Sequence, residues 1–261
     1  MQTTPELLTT TQKLCYRLMP MKLYAALKAR RNLRRYEPEL SVLPLLVDPQ
    51  RASVDVGANR GSYTYFLSKL SQHVYAYEPN PAMRWILQRV ASKNVTVSDV
   101  ALSSESGQAE FAVPRKSKLF RNNAGSLEIE HLAENNPNLL RFQVSTAKLD
   151  DLNITNVGFI KIDVEGHERD VLIGAQKVIE RDHPVLLIEM IDSLMQGNLR
   201  ESLEFVEQRG YRSFLFIDKR IVDYRIAAKM NGLADGWDRH HPHIRSNNIL
   251  FLPIERQRAA A

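Results

Sequence analysis

Ionisable side chains gather at the end of one apolar run, Phe159 to Glu168, with the sequence FIKIDVEGHE. Side chains alternate along a strand, so Lys161, Asp163 and Glu165 share one side with Phe159, while Ile160, Ile162 and Val164 take the other. Gly166 then allows a turn, and His167 and Glu168 open a segment with helical periodicity. An imidazole titrates near neutral pH and a nearby carboxylate can orient it, a set suited to taking a proton from a weakly acidic group. His167 is the first choice for a general base, oriented by Asp163 or Glu168. Asp163 and Glu165 are the alternatives. The competing reading of His167 is a polar helix-start residue with no chemical role. Lys161 is expected to be buried and paired with a carboxylate, because an unpaired buried ammonium is costly. Glu189, at the end of the next apolar run, can meet substrate hydroxyls. Asp163, Glu165 and Glu189 could also hold Mg²⁺, a reading not favoured because carboxylates bind hydroxyl-rich ligands without an ion.

A second constellation lies upstream. Val54 to Ser62 reads VDVGANRGS, between an apolar run and an amphipathic one. Gly57 and Gly61 permit a tight turn and close backbone approach, and Asn59 is the non-glycine type that best tolerates a left-handed conformation. A glycine-rich turn alone can be a plain helix start. Asp55, just before Gly57, is a poor neighbour for a pyrophosphate and disfavours a dinucleotide. Glu78 follows Gly57 by 21 residues, at the spacing where a carboxylate accepts hydrogen bonds from both ribose hydroxyls. Asp99, after the third apolar run, is placed to approach an adenine, although a turn aspartate has the same look. Acids at three successive strand ends fit S-adenosylmethionine better than NAD.

These residues need strands and helices in alternation to bring them together. Strands are expected at Ser53 to Val56, His73 to Tyr77, Val95 to Val100, Gly158 to Val164 and Val185 to Met190. Helices are expected at Ser62 to Leu70, Pro81 to Ala91, His167 to Arg181 and Leu199 to Arg209. That order implies right-handed βαβ crossovers and a doubly wound parallel α/β sheet, with ligands at the carboxyl ends of its strands. Gln108 to Pro114 and Arg141 to Leu149 read as extra strands around a polar loop that holds Asn122, Asn123, Gly125 and Ser126. Asn123 and Ser126 there become candidate substrate contacts, because an insertion at that point would overhang the strand ends. Tyr211 to Ile217 and Asn248 to Leu252 are expected to pair as a closing antiparallel hairpin. Trp237, in the excursion between them, can stack on a sugar or steroid-like face. The run Arg239, His240, His241, Pro242, His243 reads as an exposed loop rather than a zinc site, given a single cysteine.

The 261 residues are 44% apolar and 25% charged, which suits one domain (51–261) with an appendage (1–50). A lone Cys15 rules out an internal disulfide, and no run of about 18 apolar residues suggests a membrane span. MQTTPELLTT lacks a secretory pattern, so a cytoplasmic location is expected. The net charge of +5 is uneven. Lys22, Lys28, Arg30, Arg31, Arg34 and Arg35 interleave with Leu23, Tyr24, Leu27 and Leu33 at helical spacing. This basic helical extension suits peripheral contact with an anionic lipid surface, or phosphates of a nucleic acid. The favoured reading is a helix that packs on the main domain and keeps its charges in water.

Taken together, VDVGANRGSYT, YAYEPNP, DVALS, FIKIDVEGHE, LLIEM and NNILFLP resemble the FkbM family of S-adenosylmethionine-dependent methyltransferases. The likeness runs from about Ser53 to Pro253 and includes the K-x-D-V-E-G-x-E block at Lys161 to Glu168. It implies a Rossmann-like, doubly wound, seven-stranded methyltransferase sheet. It places cofactor binding on Asp55, Gly57, Asn59, Gly61, Glu78 and Asp99. It further implies O-methylation of a hydroxyl on a sugar, glycoconjugate or glycosylated natural product, with a small-molecule or glycan acceptor. The alternatives are a nicotinamide-dependent oxidoreductase, disfavoured by Asp55, and an RNA-binding methyltransferase-like module, for which no base-reading surface is evident.

Overall fold

The computed structural model describes residues 8, 10–35, 37–116, 119–120, 124–191, 194–195, 198–217, 220–230 and 244–254. Its strands in chain order are β1 (Ala52–Val56), β2 (His73–Tyr77), β3 (Val95–Ser98), β4 (Ala101–Leu102), β5 (Gly107–Lys116), β6 (Leu119–Phe120), β7 (Leu139–Ala147), β8 (Val157–Ile162), β9 (Val185–Glu189), β10 (Tyr211–Ile217), β11 (Arg220–Asp223) and β12 (Ile244–Pro253). The helices are α1 (Thr10–Leu18), α2 (Met21–Arg35), α3 (Leu43–Leu46), α4 (Ser62–Leu70), α5 (Pro81–Val90), α6 (Ile129–Asn135), α7 (Glu168–Gly174), α8 (Gln176–Asp182), α9 (Leu199–Glu207) and α10 (Tyr224–Met230).

The central strands β1 and β8 are buried throughout, as strands of a parallel sheet covered on both faces must be. The main sheet runs β11-β10-β12-β9-β8-β1-β2-β3. Five strands from β9 to β3 are parallel, and β12, β10 and β11 add antiparallel pairings. The expected doubly wound α/β class therefore holds, with eight strands rather than seven. The extra strand is Arg220–Asp223, which lies in the excursion between the two closing strands and pairs with the β10 edge. A second sheet, β4-β7-β5-β6, comes from the insertion, with β5 and β7 in register from Gly107–Thr146 to Pro114–Leu139.

Strand alternation gives the main sheet two unlike faces. Val54, Val56, Ile160, Ile162, Leu186 and Ile188 pack under α7, α8 and α9 in one apolar core. On the other face Phe159, Val185, Leu187 and Leu250 meet Leu40, Leu43, Leu46, Tyr63 and Leu67. The segment before Gln50 thus supplies core residues to the sheet. Near its carboxyl end this second face turns polar: Asp55 sits beside Lys161, and Asn248 beside Glu189. Lys161 is 1% exposed, and its Nζ donates to the Asn248 Oδ1 and the Ile162 carbonyl, both at 2.9 Å. Asn248 in turn donates to Glu39, which also accepts from the Tyr63 hydroxyl at 3.3 Å. Glu39 lies in a 3-10 turn, Pro38–Ser41, so the N-terminal segment is hydrogen-bonded into the sheet as well as packed on it.

Several element ends differ from expectation, and those beside the cavity matter most. The third strand stops at Ser98 and the fourth parallel strand at Ile162, so Val100 and Val164 lie in the turns beyond. The helix expected over His167 to Arg181 breaks at Ala175. There the Asp150 carboxylate accepts from the Lys177 and Val178 amides at 3.0 Å each and starts α8 anew. Gly174 just before the break allows close approach, since a Cβ there would stand 2.0 Å from the Ser103 carbonyl oxygen.

Removing one partner of a buried charged network strands the others, at a cost of about 3 to 5 kcal/mol. Lys161→Met should lower unfolding free energy by that amount in urea denaturation; a loss below about 1 kcal/mol would show that Asn248 and the surrounding acids do not depend on it.

Candidate active site

The turn after β1 is fixed by its own backbone. The Gly57 and Ala58 amides both donate to the Tyr77 carbonyl at 3.0 Å, and the Asp163 amide donates to the Val56 carbonyl at 3.0 Å. Gly57 has φ +76, and a Cβ there would lie 1.8 Å from the Asp163 carbonyl oxygen. The glycine is therefore required by the neighbouring backbone. Asn59 takes the left-handed conformation expected of it, with φ 50. Gly61, at φ +81, opens α4. Asp55 is buried and accepts from the Thr64 hydroxyl at 2.5 Å, which ties the strand end to the first turn of α4. Burial raises its pKa, against the opposing pull of Thr64 and Lys161.

Glu78 ends the second strand with its carboxylate turned back into the cavity. One oxygen accepts from the Asn59 amide at 2.6 Å and the other from the Asn80 amide at 2.8 Å. The Asn80 side chain caps α5 by accepting from the Ala82 amide at 3.0 Å, with Pro81 at the first helical position. The sequence EPNP is thus a carboxylate followed by its own turn and helix cap. Burial pushes the Glu78 pKa up to about 7, although both amides and Arg84 favour the charged form.

These groups line one cavity of about 450 Å³, outside the carboxyl ends of the parallel strands where the strand order reverses between β1 and β8. Asp55, Gly57, Asn59, Glu78, Lys161, Asp163, Glu165, His167 and Glu189 all contribute to its wall. Asp163 hydrogen-bonds to Glu189, and its pKa stands well above the ordinary carboxyl value, through burial first and then the Glu189 charge. Its side chain keeps 35% of its surface, facing the cavity, and lies 4.0 Å from the Lys161 ammonium. The neighbouring Glu189 charge thus adds to burial in opposing the ionisation of Asp163.

The K-x-D-V-E-G-x-E block folds through its last residue. The buried Glu168 carboxylate accepts from the Val164 amide at 3.2 Å and the Gly166 amide at 3.1 Å, closing a turn in which Glu165 and Gly166 have φ 55 and 108. Glu168 therefore shapes this turn, and His167 finds its partners elsewhere. The His167 Nδ1 lies 2.5 Å from Glu128, and Nε2 lies 2.9 Å from the Ser103 hydroxyl. Both ring nitrogens are engaged. Asp170 completes a set with Glu128 and His167 whose ligand atoms lie within 4.8 Å of one another, the one such potential metal-holding group among the described residues. The Ser126 hydroxyl donates to the Glu165 carbonyl at 2.9 Å and accepts from the Glu128 amide at 3.0 Å, which commits it to the backbone of these two turns.

Asp99 is placed away from the cavity wall. Its side chain is 70% exposed and lies 3.9 Å from Arg84, because β3 ends at Ser98 and the residue turns outward; Val100, Ala101 and Leu102 face the cavity instead. Asn123, Trp237 and the run Arg239 to His243 lie outside the described residues.

Other cavity residues carried no local signal in the sequence. Phe111, Gly125 and Leu127 come from the insertion, and Lys28, Asn32 and Glu37 come from the N-terminal segment. Asn32 donates to Glu37 at 2.7 Å and to the Ser62 hydroxyl at 2.9 Å. Burial raises the Glu37 pKa to about 7, while burial and nearby Arg60 lower that of Lys28 to about 8.

The description "Methyltransferase FkbM domain" matches residues 55–213. None of the curated proteins matches the chain. Among solved structures, a methyltransferase FkbM from Methylobacillus flagellatus is 17% identical over 78% of this chain and 44% of its own, with a TM-score of 0.48. This chain therefore spans less than half the length of that protein. A precorrin-6y C5,15-methyltransferase from Geobacter metallireducens is 15% identical over 82% and 83%, with a TM-score of 0.39. A Streptococcus mutans protein in complex with SAH is 14% identical over 82% and 94%, with a TM-score of 0.42.

Two outcomes are expected of this geometry. Gly57→Ala should fail to assemble the turn and lose the cooperative thermal transition of the wild type, since its Cβ meets backbone that cannot yield. If Glu78 accepts two ribose hydroxyls, only its ionised form does so twice. Calorimetric affinity for an adenosine ligand should then fall about tenfold from pH 8 to pH 6, and Glu78→Gln should bind more weakly with that slope removed.

Proposed function

Because the chain belongs to the FkbM methyltransferase family, we propose that it transfers a methyl group from S-adenosylmethionine to a hydroxyl of a sugar, glycoconjugate or glycosylated natural product. The observation that carries this reading is the lining of one cavity by two kinds of group. The turn at Gly57 to Asn59 and the Glu78 carboxylate are suited to a nucleoside. Asp163, Glu189, Lys28, Asn32 and Glu37, in the same wall, are suited to a polar, hydroxyl-rich acceptor. A wall dense in carboxylates favours a cationic sulfonium and opposes a pyrophosphate, which counts against the nicotinamide alternative.

The sulfonium supplies an electrophilic methyl group and leaves as a neutral thioether, so the acceptor oxygen must be held in line and must lose its proton. Asp163 is the favoured base, because its raised pKa makes its ionised form a stronger proton acceptor and its side chain faces the cavity. His167 is the weaker candidate, since Glu128 and Ser103 occupy both of its nitrogens. Its role in this reading is to tie the start of α7 to Ser103 and Glu128. Lys28, with its lowered pKa, and Glu37 are suited to hydrogen-bonding further acceptor hydroxyls.

The purified chain incubated with S-adenosylmethionine and candidate glycans should yield a product one methyl group heavier by mass spectrometry. Binding of NAD without response to S-adenosylhomocysteine would sink the reading. Asp163→Asn should lower turnover by about 10² to 10⁴. The acidic limb of the wild-type pH–rate profile should change in that variant, because the carboxyl with the raised pKa has been removed. His167→Gln should cost less than about tenfold and keep the wild-type limb; loss of that limb in His167→Gln would return the base to the imidazole.

A further inference from the structure

Half of the large apolar side chains that stand exposed among the described residues fall within Leu14 to Leu27. Leu14 and Leu18 are one turn apart on α1, at 56% and 76% exposure, and Leu23 and Leu27 one turn apart on α2, at 55% and 58%. The opposite side of α2 is accounted for. Ala25 and Ala29 are buried against the domain, where α2 packs on α4 and α5, and Lys28 and Asn32 face the cavity. The outward leucines are flanked by exposed Arg17, Lys22 and Arg30. Arg17 also lies close enough to Arg89 to disfavour its charge. The sequence from Leu7 to Tyr36 contains eight Lys and Arg residues and no Asp or Glu.

We propose that the outward faces of α1 and α2 dock on an anionic phospholipid bilayer, with the leucines entering the headgroup boundary and the basic residues pairing with lipid phosphates and carboxylates. Apolar and cationic side chains on one helix surface are what an interfacial helix requires. A second copy of the chain fits poorly, because face-to-face contact would oppose like charges with no acid between them. A nucleic acid would neutralise the charges and leave the leucines in water, with no exposed aromatic ring among them to stack on a base. Among the described residues no helix is long and apolar enough to cross a membrane, so the contact is peripheral.

Sedimentation of the full chain with vesicles tests this. The protein should pellet with phosphatidylserine-rich vesicles and stay in solution with pure phosphatidylcholine. Leu23→Gln with Leu27→Gln, and separately Leu14→Gln with Leu18→Gln, should each reduce partitioning by about tenfold or more. Lys22→Gln and Arg30→Gln should each cost about fivefold, less so as salt is raised. All six positions are exposed, so melting temperature and S-adenosylhomocysteine affinity should match the wild type in the same preparations. The proposal is overturned if the wild type ignores anionic vesicles, if partitioning is indifferent to the leucines, or if a single-stranded RNA binds more tightly than the vesicles. Conversion of a dimer to a monomer by the leucine substitutions, seen in light scattering, would also overturn it.

Discussion

A buried ammonium beneath a cavity of carboxyl groups is the constraint on which the site depends. Lys161 has no route to water at 1% exposure, so its charge must be met by the protein. It donates to Asn248 and to the Ile162 carbonyl and lies near Asp163, and its field also favours the charged forms of Asp55 and Glu37. Without that cation, at least four acids around one cavity would repel one another in a low-dielectric setting. With it, that repulsion is partly offset: Asp163 stands 4.0 Å from the Lys161 ammonium while burial and the Glu189 charge hold its pKa up.

The same constraint explains why the N-terminal segment belongs to the catalytic fold. The polar end of the second sheet face cannot be covered by an ordinary apolar helix, because Asn248 and Tyr63 need partners. Glu39 reaches down to both, Leu40, Leu43 and Leu46 pack beside it, and Asn32 and Glu37 continue upward into the cavity wall. Covering the polar strand ends and lining the cavity are thus performed by one stretch of chain. A change in that stretch that alters the cavity wall is coupled to the stability of the sheet beneath.

What could be read from the sequence is what depends on local geometry. The alternation of strands and helices, the left-handed Asn59 and the antiparallel closing strands follow from pattern and residue type, and all are present. The acids of the two strand-end motifs also converge as their spacing implied. Long-range pairings were not legible. The partners of His167 lie 64 and 39 residues upstream, at Ser103 and Glu128, in segments whose composition gave no hint of them. Asp99 shows the converse: its type and spacing matched a ligand-binding position, but a strand two residues shorter turned it outward. Gly57 was legible as an obligatory glycine, although what excludes a side chain there is the Asp163 carbonyl, a contact between distant segments.

Glu37 and Glu78 show how the site trades folding stability for ligand response. Both carboxyls titrate near 7 in the fold because burial opposes their charge, whereas in an unfolded chain they would lose their protons about two to three pH units lower. Between those limits the folded state binds more protons, so each contributes stability that is present at low pH and lost as pH rises through 7. A ligand that is cationic, or that donates hydrogen bonds to the ionised carboxylate, offsets that loss by favouring the charged form. The carboxylates that oppose the fold at neutral pH are then the groups through which a ligand of that kind would restore its stability.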